Sequence, residues 1–239
     1  MAKYGIKSYF GGLGDTLQFC TLPELFHEQG HEVFLTADAP FRNSSIRSIW
    51  DTNPFVKGQA DVTWTLGDTP GCKYENLFDD FIKNWEYAHG LIPKNSFPRI
   101  YYTPRNDAPK TDVLIDLGSI TLSYNMPRVI DIIKSSYSQR DVKIVINGQR
   151  PTNTYGFESI QVSGNTLTEY IDLIDCCDTF ISLNSGPHML AGSLRHTNTK
   201  FKQICFLSSD NRQGTNESWY DYQMRTKHFI LPMIEYIKV

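Results

Sequence analysis

The sequence predicts an α/β protein with parallel sheets. Two observations carry this. Short apolar runs alternate with stretches of helical spacing along the whole chain, and two of those runs end in a glycine-containing turn that opens a helix. Composition agrees: 239 residues, 40% hydrophobic and 21% charged, enough for one large domain or two of roughly 110–120 residues. With 23 basic and 26 acidic residues, the net charge of −3 gives no sequence-independent pull toward nucleic acid or an anionic membrane. No apolar run approaches the roughly 18–20 residues that span a bilayer, and the first residues lack a signal-peptide core. A cytoplasmic protein without a transmembrane anchor is expected.

In chain order, residues 4–10 form a strand that ends at Gly11-Gly12-Leu13-Gly14. Residues 15–29 place Leu17, Leu22, Leu25 and Phe26 at helical spacing, with Gly30 as C-cap. Residues 32–37 are a second strand, which completes one βαβ unit. A short helix over 44–50, a strand over 62–66 and an aromatic helix over 74–89 follow. Four of the 12 prolines fall between Pro93 and Pro109, the pattern of a linker. The second half repeats the scheme, with strands over 112–117, 143–147, 159–162, 179–183 and 201–207. Its helices cover 127–136, 168–176 and 188–194. The expected domains are 1–108 and 109–239, with the aromatic tail packing back on the body.

Two turns are candidates for chemistry. Gly11-Gly12-Leu13-Gly14-Asp15-Thr16 matches neither the dinucleotide fingerprint, which needs glycine where Leu17 stands, nor a P-loop. Its amides suit an anion, and Asp15 suits either a helix cap or a general base in a crevice. In the second turn, Asn184-Ser185-Gly186-Pro187-His188, Ser185 can cap and Gly186 allows close approach. Pro187 suits a first helical turn. The first-turn amides would hold a phosphate, with the helix dipole worth about 0.3–1 kcal/mol, and His188 would add a donor. A plain capped helix with a packed histidine explains the same letters. In two facing α/β domains these turns would set a carboxylate opposite a phosphate cradle, which suits group transfer from a nucleoside diphosphate.

At this point the motifs resemble those of glycosyltransferase family 9, the heptosyltransferases. Gly11–Thr16 with Leu22-Pro23, then Asn53-Pro54-Phe55-Val56, then Gly164-Asn165-Thr166-Leu167-Thr168-Glu169, and finally Asn184–Ala191 are similar, in that order, to the family's signatures. The resemblance implies two Rossmann-like domains facing across a cleft, the GT-B fold. It implies an inverting, metal-independent transfer of a sugar from a nucleoside-diphosphate donor to an acceptor hydroxyl, with no further cofactor. Asp15 would be the base. Gly14, Ser119, Arg128, Asn184, Ser185, Gly186, Pro187 and His188 would line the donor, and Gly12 and Leu13 the acceptor. Asn184 stands where the family has Asp, His188-Met189 reverses its Met-His, and Tyr124 replaces a Lys before Pro127. The donor sugar and nucleotide, the acceptor and the oligomeric state are not fixed by these motifs.

Two rival functions remain: a glycosyltransferase for a hydroxymethylated DNA base, and a non-catalytic nucleotide- or sugar-binding protein. The five cysteines, Cys20, Cys72, Cys176, Cys177 and Cys205, are odd in number and lack C-x-x-C spacing, so reduced thiols are expected rather than disulfides or zinc. His27-Glu28-Gln29-Gly30-His31 spells a zinc-protease string, but Gly30 breaks the helix that would align the two histidines.

Overall fold

The computed structural model describes residues 1–239 except 40, 42, 43, 69–72, 75, 119–121, 148–152 and 164–166. The first half runs β1 (Lys3–Lys7), α1 (Leu13–Leu17), α2 (Leu22–Glu28), β2 (Glu32–Thr36), α3 (Ser44–Asp51), β3 (Val56–Ala60), β4 (Trp64–Gly67) and α4 (Phe81–Ala88). The second runs β5 (Thr111–Asp116), α5 (Met126–Ser136), β6 (Val142–Asn147), β7 (Glu158–Val162), α6 (Thr168–Asp175), β8 (Cys177–Leu183) and α7 (Gly186–Ser193). A 3₁₀ turn at Leu194–His196, β9 (Lys202–Leu207), α8 (Trp219–Thr226) and β10 (Glu235–Lys238) complete it. The sheets are ordered β3-β2-β1-β4 and β10-β9-β8-β5-β6-β7, and every strand pair is parallel. Strand order therefore reverses between β1 and β4 and again between β5 and β8. Such reversals open the crevices in which α/β folds bind ligands.

One apolar cluster is continuous across both sheets. It joins Leu17 and Phe81 of the first half to Tyr170 and Leu190 on α6 and α7. The opposite face of the larger sheet has its own cluster, in which Val129 and Ile133 of α5 cover Val113, Ile181 and Phe206. Among the described residues no helix is long and apolar enough to cross a membrane.

Three departures from the sequence expectations have physical causes. The helix expected over 15–29 is two helices, because Pro23 has no N–H for the Phe19 carbonyl and the helix must restart beside it. The helix expected over 74–89 begins only at Phe81, capped by the Asp80 side chain. The buried Asn84 amide holds the preceding loop open, accepting from the Leu77 and Phe78 amides and donating to the Phe78 and Asp80 carbonyls. Strand β3 escaped notice because Val56–Ala60 lacks alternation and Gly58 has φ +108°. The tail resolves into α8 and β10.

The halves are tied at two places, the chain passage between them and a contact on α8. In the passage Glu24 accepts from Arg99 at 2.7 Å and from the Tyr101 hydroxyl at 3.0 Å. The next residue, Tyr102, donates instead to Asp172 on α6 at 2.9 Å, and Arg105 joins the same carboxylate. At the second place the Thr226 and Arg225 carbonyls of α8 accept from Tyr74 and Asn76 of the first half. Lys227, Phe229 and Met233 then take left-handed backbone conformations on the way to β10.

Candidate active site

The two glycine turns meet. α1 and α7 cross with so little room that a Cβ on Gly186 would lie 2.6 Å from Leu13 Cβ, and one on Gly14 would lie 3.6 Å from the Gly186 Cα. The absence of a side chain at 186 is thus what lets α7 approach α1 so closely. Gly12 is the N-cap of α1, its carbonyl accepting from the Thr16 amide at 2.9 Å. Asp15 lies in the first turn, half-buried, one residue from the crossing. It does not cap the helix.

On the other side, Asn184 follows β8 and Ser185 is the N-cap of α7, without a side-chain cap bond. Gly186 and His188 open α7 with amides that have no intrahelical acceptor; Pro187, between them, has none to offer. Asn184 is only 7% exposed, yet neither atom of its amide has a hydrogen-bond partner. Leaving such a group unpaired costs about 1–3 kcal/mol, so the position fits a polar ligand. Alternation puts Ser182 on the same face as Asn184, and its buried hydroxyl is also unpartnered.

Two expectations are corrected. His188 does not face a donor: it is fully buried, with Nδ1 3.0 Å from Gln203 Nε2 and Nε2 3.2 Å from the Phe229 carbonyl. The Gln203 Nε2 group, which also donates to the His188 carbonyl at 2.8 Å, can only donate, so the ring is the Nε2–H tautomer and a strut between α7, β9 and the tail. Leu13 and Gly14 belong to the helix crossing rather than to ligand surfaces, Leu13 lying on Gly186 and Gly14 against the Phe229 ring. Arg128 is exposed in the first turn of α5, where a donor-lining role stays open. Ser119 and the 164–166 part of the family-like stretch lie outside the described residues.

Sequence reasoning passed over Asp116. It ends β5 at the strand-order reversal, in register with Ser182. Its buried carboxylate accepts from the Tyr170 hydroxyl and, at 2.8 Å, from the Gly118 amide. Burial raises its pKa against the pull of both bonds. An acid closing an apolar strand, Asp112-Val113-Leu114-Ile115-Asp116, was the available signal. The zinc-like string leads nowhere: His31 accepts from the Ala2 amide and packs on Tyr4, while His27 packs on Phe55.

The buried His188 predicts an acid response. Burial pushes it from 6.5 down to about 4. The unfolded chain takes up the proton near 6.5 and the folded chain only near 4, so stability is full above 6.5 and falls as pH drops through that window, by about 3 kcal/mol. Denaturant unfolding at pH 7 and pH 4 should show a smaller acid loss for His188→Gln than for the unaltered protein. The remainder belongs in part to His228, which burial also pushes to about 4. Equal losses in both proteins would remove His188 from the account.

No family model matches the chain, and no curated protein matches it in sequence. Solved structures do resemble it. The glycosyltransferase TibC of enterotoxigenic E. coli shares 17% identity over 90% of this chain, with a TM-score of 0.59. The glycosyl transferase family 9 protein of Veillonella parvula shares 8% over the whole chain, TM-score 0.63, with 85% of that protein covered. E. coli heptosyltransferase WaaC with ADP shares 10%, TM-score 0.56, with 93% of it covered. The chain spans 62% of the length of TibC. At these identities the likeness speaks for architecture: two parallel sheets joined through α1 and α7 give the chain the GT-B fold of these glycosyltransferases.

Proposed function

We propose that the protein is an inverting glycosyltransferase that moves a sugar from a nucleoside-diphosphate donor to an acceptor hydroxyl. The observation that supports this is the crossing at Gly14 and Gly186, which sets the first turn of α1, with Asp15, beside the start of α7. Structures of the same fold add weight, since one is solved with ADP and another, TibC, with an ADP-heptose. In the reaction Asp15 takes the acceptor O–H proton. The acceptor oxygen attacks the anomeric carbon from the face opposite the diphosphate, and the bond to the diphosphate oxygen breaks with its electron pair. The amide of Gly186, at the start of α7, and the side chain of Asn184 receive that growing negative charge. Ser185 and Pro187 shape the turn.

The chain contains no Asp-x-Asp, which supports a metal-independent reaction. TibC is described as iron-containing. Among the described residues of this chain no three His, Cys, Asp or Glu side chains gather to hold a metal. Free thiols at Cys20, Cys176, Cys177 and Cys205 support a cytoplasmic setting.

A thermal-shift panel of nucleoside diphosphates tests the donor site. A matching diphosphate at a hundredfold excess over its Kd stabilises the protein by about 2.7 kcal/mol. Asn184→Leu should weaken that shift, because it removes the unpaired amide without opening a cavity. If no diphosphate raises the Tm, the proposed reaction is wrong.

A further inference from the structure

The loop from β1 to α1 holds a feature that the donor side does not use. Tyr9 and Phe10 are 59% and 60% exposed, with their rings edge to face and centroids 5.2 Å apart. Only Gly11 and Gly12 separate them from α1, and Gly11, at φ +61°, turns the chain from the aromatic pair into the helix that bears Asp15. The loop is pinned: the Tyr9 amide donates to the Asp68 carboxylate just after β4. Between β1 and the pair, the Ser8 hydroxyl is buried and has no partner. The described charges at these strand ends are one cation, Lys7, already paired with Asp38, and the further carboxylates Asp15 and Asp68.

Exposed aromatic faces are electronegative. The C–H face of a sugar ring is flat and electropositive, and its hydroxyls donate to carboxylates at the rim. The same acidic rim repels a carboxylated sugar or a phosphate backbone. From this placement we infer that Tyr9 and Phe10 form the acceptor subsite and that the acceptor is an uncharged saccharide, its ring on the aromatic pair and its hydroxyl directed to Asp15. The inference rests on the transfer reaction proposed above.

The test uses the full chain, saturated with the nucleoside diphosphate that gives the largest Tm shift. Saturation-transfer NMR then follows the methyl glycosides of glucose, galactose and mannose, methyl glucuronide and a single-stranded DNA oligonucleotide. At least one neutral glycoside should bind, more tightly than the glucuronide. The double variant Tyr9→Ala/Phe10→Ala should bind it about tenfold more weakly, as expected for two lost ring contacts. Asp68→Asn should narrow the gap to the glucuronide. Equal binding to the unaltered and double-variant proteins overturns the inference. So does binding of no neutral glycoside, or tighter binding of the glucuronide or the oligonucleotide. The diphosphate Tm shift on the same samples separates the two levels. Retained in the double variant, it shows a folded donor site, so a failed glycoside experiment sinks the saccharide subsite alone. Absent in the unaltered protein, it sinks the transfer reaction itself.

Discussion

Replacing Asp15 by Asn should lower sugar transfer by about 10²–10⁴-fold while leaving nucleoside-diphosphate binding intact. Asn keeps the size and the hydrogen-bonding reach of Asp15 in the first turn of α1, so the crossing with α7 is undisturbed. What it loses is the ability to accept a proton as the acceptor oxygen attacks. Loss of a carboxylate at a helix start also costs about 0.3–1 kcal/mol of stability, too little to unfold a domain of this size. The measurement is single-turnover transfer beside a diphosphate-induced Tm shift for both proteins. Transfer at the unaltered rate would remove Asp15 as the base. No transfer by either protein across a full donor panel, with the Tm shift present, would favour a non-catalytic nucleotide-binding protein.

The second large effect is expected at Gly186. Alanine there puts a methyl group 2.6 Å from Leu13 Cβ and 2.9 Å from its Cγ, with no flexible chain end to yield. Overpacking of this kind costs about 1–3 kcal/mol and here forces the two sheets apart at the site itself. Denaturant unfolding should therefore show the loss in Gly186→Ala, and transfer should fall with it. Leu13→Ala shrinks the opposing side chain. The double variant Leu13→Ala/Gly186→Ala should recover part of both losses, giving a coupling energy of about 0.5–3 kcal/mol. Strict additivity of the two single changes would mean that the helices do not bear on each other as described.

The strands of the second half could be read almost directly, because Asp-Val-Leu-Ile-Asp-Leu, Lys-Ile-Val-Ile-Asn and Thr-Phe-Ile-Ser-Leu are short apolar runs of the kind a sheet covered on both faces demands. The helix from 15 to 29 misled because Leu17, Leu22, Leu25 and Phe26 keep a helical rhythm across the break at Pro23. Periodicity reports which residues are buried and is blind to one missing N–H. The glycines read as room for an anion; Gly186 also makes room for Leu13 of α1, beside Gly14, a contact between opposite halves of the chain that no local pattern encodes. His188 carried the same ambiguity. A histidine in a first helical turn suits a phosphate as well as a core, and only Gln203, Phe229 and Tyr236, brought in from β9, the tail and β10, settle which it is.

The two ties between the halves have a mechanical consequence. Tyr101 is tied to Glu24 and its neighbour Tyr102 to Asp172, so allegiance changes from one half to the other across a single peptide unit. The other tie is similarly narrow: the Thr226 carbonyl accepts from Tyr74 of the first half, and three residues on the Phe229 carbonyl accepts from His188. The apolar cluster is shared by both sheets, so prying the halves apart at these ties would expose that common core to water.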